Sequence, residues 1–274
     1  MKNLSFDAYT LKWIAVIGMV LNHIAIAWAS ILPFGALLLF YGAGGLTYTI
    51  MAFFVVEGYK HTSNLKKYMS RLLIFGLIAQ AFHPMVLGIT AVMPGPFLNI
   101  LFTINLSLIV LLMYDNIKSR FLFWLLFIVA CVVAMFMDLM FIGILVPLWY
   151  YTIKEESKRR TLPGVISGTI WGVIGVLSAF GVMAIMAMKN TPGMEADAQY
   201  LLDSFGFAPE VALAMPTFAI GCFLGAILIR NYNGERGKKA KWLFYIAYPL
   251  HLALIAAVSL ALGLTEFNLF GFIG

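Results

Sequence analysis

His23 lies about twelve residues into the first long apolar stretch of the chain, and His251, preceded by Tyr245 and Tyr248, reaches a similar depth in the last. At 1.5 Å of rise per helical residue, His23 would sit roughly 18 Å from the start of its stretch. Asn22 and Asn105 are also deep in apolar surroundings. An ionisable group there costs on the order of 2.5 to 3.5 kcal/mol, so each asks for a reason. An imidazole exchanges protons near neutral pH, and as a neutral ring it can take a proton from a hydroxyl or an amine. The plainer role for each histidine is a hydrogen bond to a neighbouring helix.

Glu57 and Arg71 flank the short polar connection after the second apolar stretch, close enough in sequence to pair, and an ion pair satisfies both groups near lipid. His83 is followed by Pro84, where capping of the carbonyls freed by the proline is the expected role. Two deep histidines could also ligate a haem. With one deep histidine per candidate helix and no second matched pair, neither haem nor a metal is expected. Cys131 and Cys222 lie in apolar segments and read as packing residues, without a disulfide. Gly168 with Gly172, and Gly221 with Gly225, have the spacing that lets helix backbones approach. The run Gly42-Ala43-Gly44-Gly45 lacks the preceding strand of a phosphate loop.

The elements that position these groups must be membrane helices. The chain has 274 residues, is 62% hydrophobic and only 11% charged, and its mean hydropathy is +0.95. A soluble domain needs far more polar surface. The net charge of +6 would suggest nucleic acid in a soluble protein, but here the cations cluster between apolar runs, which reads as topology and argues against a nucleic-acid partner. Cutting the chain at about 20 apolar residues per crossing predicts nine segments, at about 11–32, 37–59, 70–92, 98–114, 121–137, 139–153, 163–188, 211–230 and 240–263. The apolar run 121–153 is too long for one crossing, and Asp138 is its expected turn.

With the amino terminus inside, every Lys and Arg of the 18 except Lys189 falls on the cytoplasmic side, and Glu195, Asp197, Asp203 and Glu210 fall outside. The expected fold class is therefore all-α. It is a single polytopic membrane bundle over 1–274 with about nine transmembrane helices, its N-terminus inside, its C-terminus outside, in the cytoplasmic (inner) membrane.

Several blocks resemble the TraX family. They are Leu11-Lys-Trp-Ile-Ala-Val-Ile-Gly-Met-Val-Leu-Asn-His23, Met51-Ala-Phe-Phe-Val-Val-Glu57-Gly-Tyr-Lys, Lys66-Lys-Tyr-Met-Ser-Arg71, Asn99-Ile-Leu-Phe-Thr and Lys241-Trp-Leu-Phe-Tyr-Ile-Ala-Tyr-Pro-Leu-His251. The resemblance implies a membrane-bound acetyltransferase of the kind that acetylates the amino terminus of pilin with acetyl-CoA. It makes His23 the expected catalytic base. Where the family commonly has Asp before that histidine, Asn22 stands here, and Gln80 and His83 fall in a stretch expected to be more acidic. Asn22 is expected to orient His23, and His251, Glu57 and Arg71 to shape or polarise the site.

The acyl donor carries several phosphate charges, for which Lys66, Lys67, Arg71, Arg230 and Lys241 are the candidate contacts, although topology explains the same clusters. A peptide amino terminus or an envelope glycan would be the acceptor. The competing reading of the same buried His, Glu and Arg groups is a proton-coupled transporter, against which stands the lack of an evident inverted repeat.

Overall fold

The computed structural model describes residues 5–87, 97–204 and 208–266, and for Lys241 the backbone alone. Lys2, the end of the third expected crossing and the uncharged connection 93–96 lie outside the described residues. Twelve helices follow one another: α1 (Ala8–Ala27), α2 (Phe34–His61), α3 (Leu65–Gln80), α4 (His83–Leu87), α5 (Ile100–Asn116), α6 (Arg120–Ala134), α7 (Met140–Thr152), α8 (Glu156–Lys189), α9 (Glu195–Ser204), α10 (Pro209–Ala214), α11 (Pro216–Arg230) and α12 (Lys241–Ala261). No strand occurs among the described residues. Helices α1, α2, α8 and α12 are long and apolar enough to cross a membrane, and α5, α6, α7 and α11 are shorter apolar helices.

The molecule is inside out relative to a soluble protein. Leu39, Phe121, Leu177 and Phe180 are each more than 60% exposed, whereas His23, Gln80, His83, Asn99, Asn105 and His251 are buried. With lipid as the solvent, apolar side chains face outward at no cost, and buried polar groups find partners within the bundle. These are the marks of a helical membrane protein.

Six helices close a ring in the order α1, α2, α7, α5, α3, α12 and back to α1. Helix α11 packs between α2 and α8 on the outside of this ring, and α6 packs on α7. The glycines account for the tight side of the assembly. A Cβ at Gly221 would strike the Gly42 carbonyl, and one at Gly45 would strike the Phe218 carbonyl, so α2 and α11 meet backbone to backbone. The Gly42–Gly45 run is thus half of a packing face.

Differences from the expected boundaries have local causes. The third expected crossing, 70–92, breaks into α3 and α4, because Pro84 has no amide hydrogen to give the Gln80 carbonyl and its ring crowds that turn. Pro216 likewise divides 211–230 into α10 and α11, opening α11 at its first position. Helix α8 begins earlier than the expected 163 because its charged first turns form ion pairs within the helix, Arg159 with Glu156 at 2.7 Å and Arg160 with Glu156 at 2.7 Å. The acidic connection expected over 189–210 carries the short helix α9.

A chain reversal does fall at Asp138, between α6 and α7. Leu139 (φ 62°) and Met140 (φ 48°) take left-handed conformations that side-chain-bearing residues rarely adopt. The Leu98 amide donates to the Phe136 carbonyl at 2.9 Å and the Asp138 amide to the Leu98 carbonyl at 2.9 Å. Thr103 Oγ1 donates to the Asp138 carbonyl at 2.9 Å. Such outside contacts are what hold a strained turn in place.

Candidate active site

The ring encloses a cavity of about 990 Å³, at the upper end of the range typical for small-molecule sites. Its wall includes Asn22 and His23 from α1, Arg71 from α3, Ser107 from α5, Pro147 from α7 and Tyr248 from α12. Lys12, Lys60, Arg159, Arg160, Arg236 and Lys238 also line it. Lys12 lies eleven residues before His23 on the same helix, about 16 Å along the axis. The cavity therefore has a basic end and a deep end.

His23 and His251 meet across the α1–α12 contact. His251 Nε2 is 3.2 Å from His23 Nδ1, and the rings stand at 61° with centroids 4.8 Å apart. His251 Nδ1 is 2.8 Å from the Ala247 carbonyl, and His23 Nδ1 is 2.8 Å from the Met19 carbonyl. A carbonyl only accepts, so in the neutral rings both Nδ1 atoms carry the hydrogen. His23 Nδ1–H is then shared between Met19 and the lone pair of His251 Nε2, which leaves the lone pair of His23 Nε2 unused. That atom makes no hydrogen bond among the described residues. The arrangement fixes the tautomer a general base requires.

Asn22 also lines the cavity, but its side chain donates to the Tyr41 carbonyl at 3.2 Å and not to His23. Orientation of His23 comes from Met19 and His251, so the expected orienting role of Asn22 is replaced. Asn22 lies against Gly44, where any Cβ would collide with its amide.

Glu57 does not pair with Arg71. Its Oε1 accepts from Arg159 Nη1 at 2.8 Å, and Arg159 also binds Glu156. This network ties α2 to α8 beside the basic end. Arg71 lies over the Tyr245 ring, 5.6 Å from its centroid, with its Nε buried and without a hydrogen-bond partner among the described residues. Among the other expected phosphate contacts, Lys66 and Lys67 open α3 as exposed side chains, Arg230 ends α11 exposed, and none of the three lines the cavity. The side chain of Lys241 lies outside the described residues.

Two of the cations that line the cavity, Arg236 and Lys238, owe their positions to a strap between the chain before α1 and the loop after α11. The Phe6 amide donates to Asn231, the Ala8 amide to Glu235, and the Asn233 amide to Phe6, which binds the segment before α1 to the loop after α11. That loop carries Arg236 and Lys238. Asp7 caps α1 by accepting from the Thr10 amide at 2.7 Å, a bond that holds its carboxyl below the usual range. Gly237, at φ +65°, lies against the Asp7 carboxylate where a Cβ would not fit.

At the deep end stands a pair that sequence reasoning treated separately. His83 Nε2 is 3.1 Å from Asp138 Oδ2, so His83 binds a side chain and is not a cap for the residues around Pro84. His83 is 1% exposed, and Asp138 lines the cavity. Nearby backbone is tied by Asn99, which caps α5 through the Leu101 amide at 3.1 Å and donates to Gly76 at 2.8 Å and to Gln80 at 2.9 Å. The Gln80–Asn99 pair is thus structural.

Fold and site together define a helical membrane protein with a charged cavity whose wall includes His23, backed by His251. Comparison with known proteins gives the family: residues 7–259 match the description "TraX protein", and the chain belongs to the TraX family. It is also similar to "Probable fimbrial assembly protein FimC, serogroup H1" of Dichelobacter nodosus, with 28% identity over 269 residues, covering 95% of this chain and 99% of the relative. No solved structure matches the chain.

Proposed function

We propose that this protein is an acetyl-CoA-dependent acetyltransferase of the cytoplasmic membrane, with nine crossings and its basic face inside. The observation that carries this reading is one cavity that joins a cluster of cations to the free Nε2 of His23. Acetyl-CoA brings its phosphates to the basic end, to Lys12, Arg71, Arg236 and Lys238, and extends its thioester toward His23. These cavity-lining cations take over from Lys66, Lys67 and Arg230 as the phosphate contacts.

In the transfer step the acceptor's nitrogen or oxygen attacks the thioester carbonyl while His23 Nε2 takes its proton. The new N–C or O–C bond forms, the C–S bond breaks, and the proton on His23 passes to the departing thiolate. His251, which accepts from His23 Nδ1–H, favours the imidazolium formed in passing. The burial of His23 deep in the bundle, away from the basic end, limits the water that competes for the acetyl group. The relative's name, fimbrial assembly protein, favours an envelope polypeptide as the acceptor.

Purified protein in nanodiscs with labelled acetyl-CoA and amine or hydroxyl acceptors is expected to yield acetylated product by mass spectrometry. His23→Ala, folded as judged by its melting curve, should lose about 10²- to 10⁴-fold in rate, the usual worth of a general base. Full activity in that variant would overturn the reading. So would proton-coupled uptake by liposomes without any acetyl transfer.

A further inference from the structure

The deep end of the cavity carries a polar constellation that the transfer step above does not use. Asp138 Oδ2 is bonded to His83 at 3.1 Å, whereas Oδ1 makes no hydrogen bond among the described residues. Tyr248 also lines the cavity, and its hydroxyl is buried and without a partner among the described residues. The carboxylate is presented by the left-handed turn at Leu139 and Met140, whose geometry is locked from α5 by Thr103.

A strained turn that holds one carboxylate toward a cavity, beside a buried hydroxyl without a partner among the described residues, has the features of a polar binding site. The charge pattern gives the ligand's sign. Cations crowd the basic end, where the carboxylates Glu57 and Glu156 are taken up by Arg159 and Arg160, while Asp138 is the carboxylate at the deep end. A polyanionic donor is repelled from the Asp138 end and drawn to the other; a cation experiences the reverse.

We propose that Asp138, oriented by His83, binds the acceptor and selects one that presents a protonated primary amine, with the Tyr248 hydroxyl as a second contact. Naming the bound group an acceptor rests on the acetyltransferase reading; the affinity for an ammonium does not. Donor and acceptor then occupy oppositely charged ends of one cavity, with His23 between them. The bound ammonium gives one proton to His23, which passes it to solvent, and the free amine then attacks. Its second proton leaves with the thiolate, so the balance is one ammonium and one thioester in, one amide, one thiol and one proton out.

Calorimetry on the purified full chain in nanodiscs tests the site with n-butylammonium and n-butanol, using empty nanodiscs as the blank for partition into lipid. The ammonium should bind about tenfold or more tightly than the alcohol, as one charge-assisted hydrogen bond provides. Asp138→Asn should erase that preference while leaving acetyl-CoA binding unchanged. Equal affinity of the wild-type protein for the two probes overturns the proposal, and so does a preference that survives in a folded Asp138→Asn. Should the variant fail to fold, the wild-type comparison still decides. Ammonium selectivity that depends on Asp138 in a protein without transferase activity would uphold the site and remove the acetyltransferase reading instead.

Discussion

His23 and His251 stand 228 residues apart in sequence and share one hydrogen, so they should act as a unit and not as two independent contributors. Replacing His251 with Leu leaves His23 Nδ1–H bonded to Met19 alone and removes the partner that favours the imidazolium. His251→Leu is expected to lower the transfer rate by roughly 10- to 100-fold, the usual cost of losing such a supporting contact, with the KM for acetyl-CoA little changed. The double variant with His23→Ala should be no slower than His23→Ala alone, because the supporting group has nothing left to support. Additive losses in a steady-state double-mutant cycle would show that His251 acts elsewhere. Each histidine was visible in the sequence as an ionisable group in an apolar run, but their contact was not, since nothing local in either segment records which helices become neighbours. Glu57 makes the same point. Nearness in sequence suggested Arg71, while the partner at 2.8 Å is Arg159, 102 residues away, because α8 packs beside α2 at that level. Asp138 was legible only as a turn, because its carboxylate acquires a partner and a cavity only when α3, α4 and α7 converge.

At the scale of elements, apolar runs of helical length announced most helices, since a lipid-facing helix must be apolar over its whole crossing length. What the runs did not announce were the interruptions at Pro84 and Pro216 and the polar extension of α8. The glycine spacing predicted close approach without saying what approaches. Gly168 and Gly172 of α8 face α11, and Gly221 and Gly225 of α11 face α2, and the second contact supports a stability prediction. Gly45→Ala places a methyl group against the Phe218 carbonyl and should cost roughly 1 to 3 kcal/mol through overpacking. Gly35→Ala, where nothing lies within 4 Å, should leave stability the same or slightly higher, since alanine restricts the unfolded chain. Melting temperatures of the two variants in one detergent check this, and equal values would mean that α2 and α11 separate readily. The site depends on the contact indirectly, because α2 is both a wall of the cavity and the partner of α1.

For the whole molecule, the proposed chemistry requires an orientation. Acetyl-CoA is a cytoplasmic metabolite, so the end of the cavity lined by Lys12, Arg236 and Lys238 must open to the cytoplasm, and Asp138 must lie toward the other leaflet. The distribution of Lys and Arg independently calls for the same sidedness, because basic connections are retained inside. Chemistry and topogenesis thus make one demand, although one concerns the ligand and the other insertion. In the proposed nine-crossing arrangement the breaks at Asp138 and after α7 decide the parity: if 120–152 crossed only once, every later connection would change sides, and Arg236 with Lys238 would face away from the donor. Single cysteines in a background lacking Cys131 and Cys222 test this in intact cells with a membrane-impermeant maleimide. A cysteine at Thr191, in the turn after α8, is expected to label from outside, whereas one at Asn233 or at Glu155 should label only after the cells are opened. The opposite pattern at Asn233 would put the basic end outside, remove the cytoplasmic donor from its reach, and leave the cations in the cavity to bind an anion from the other side of the membrane.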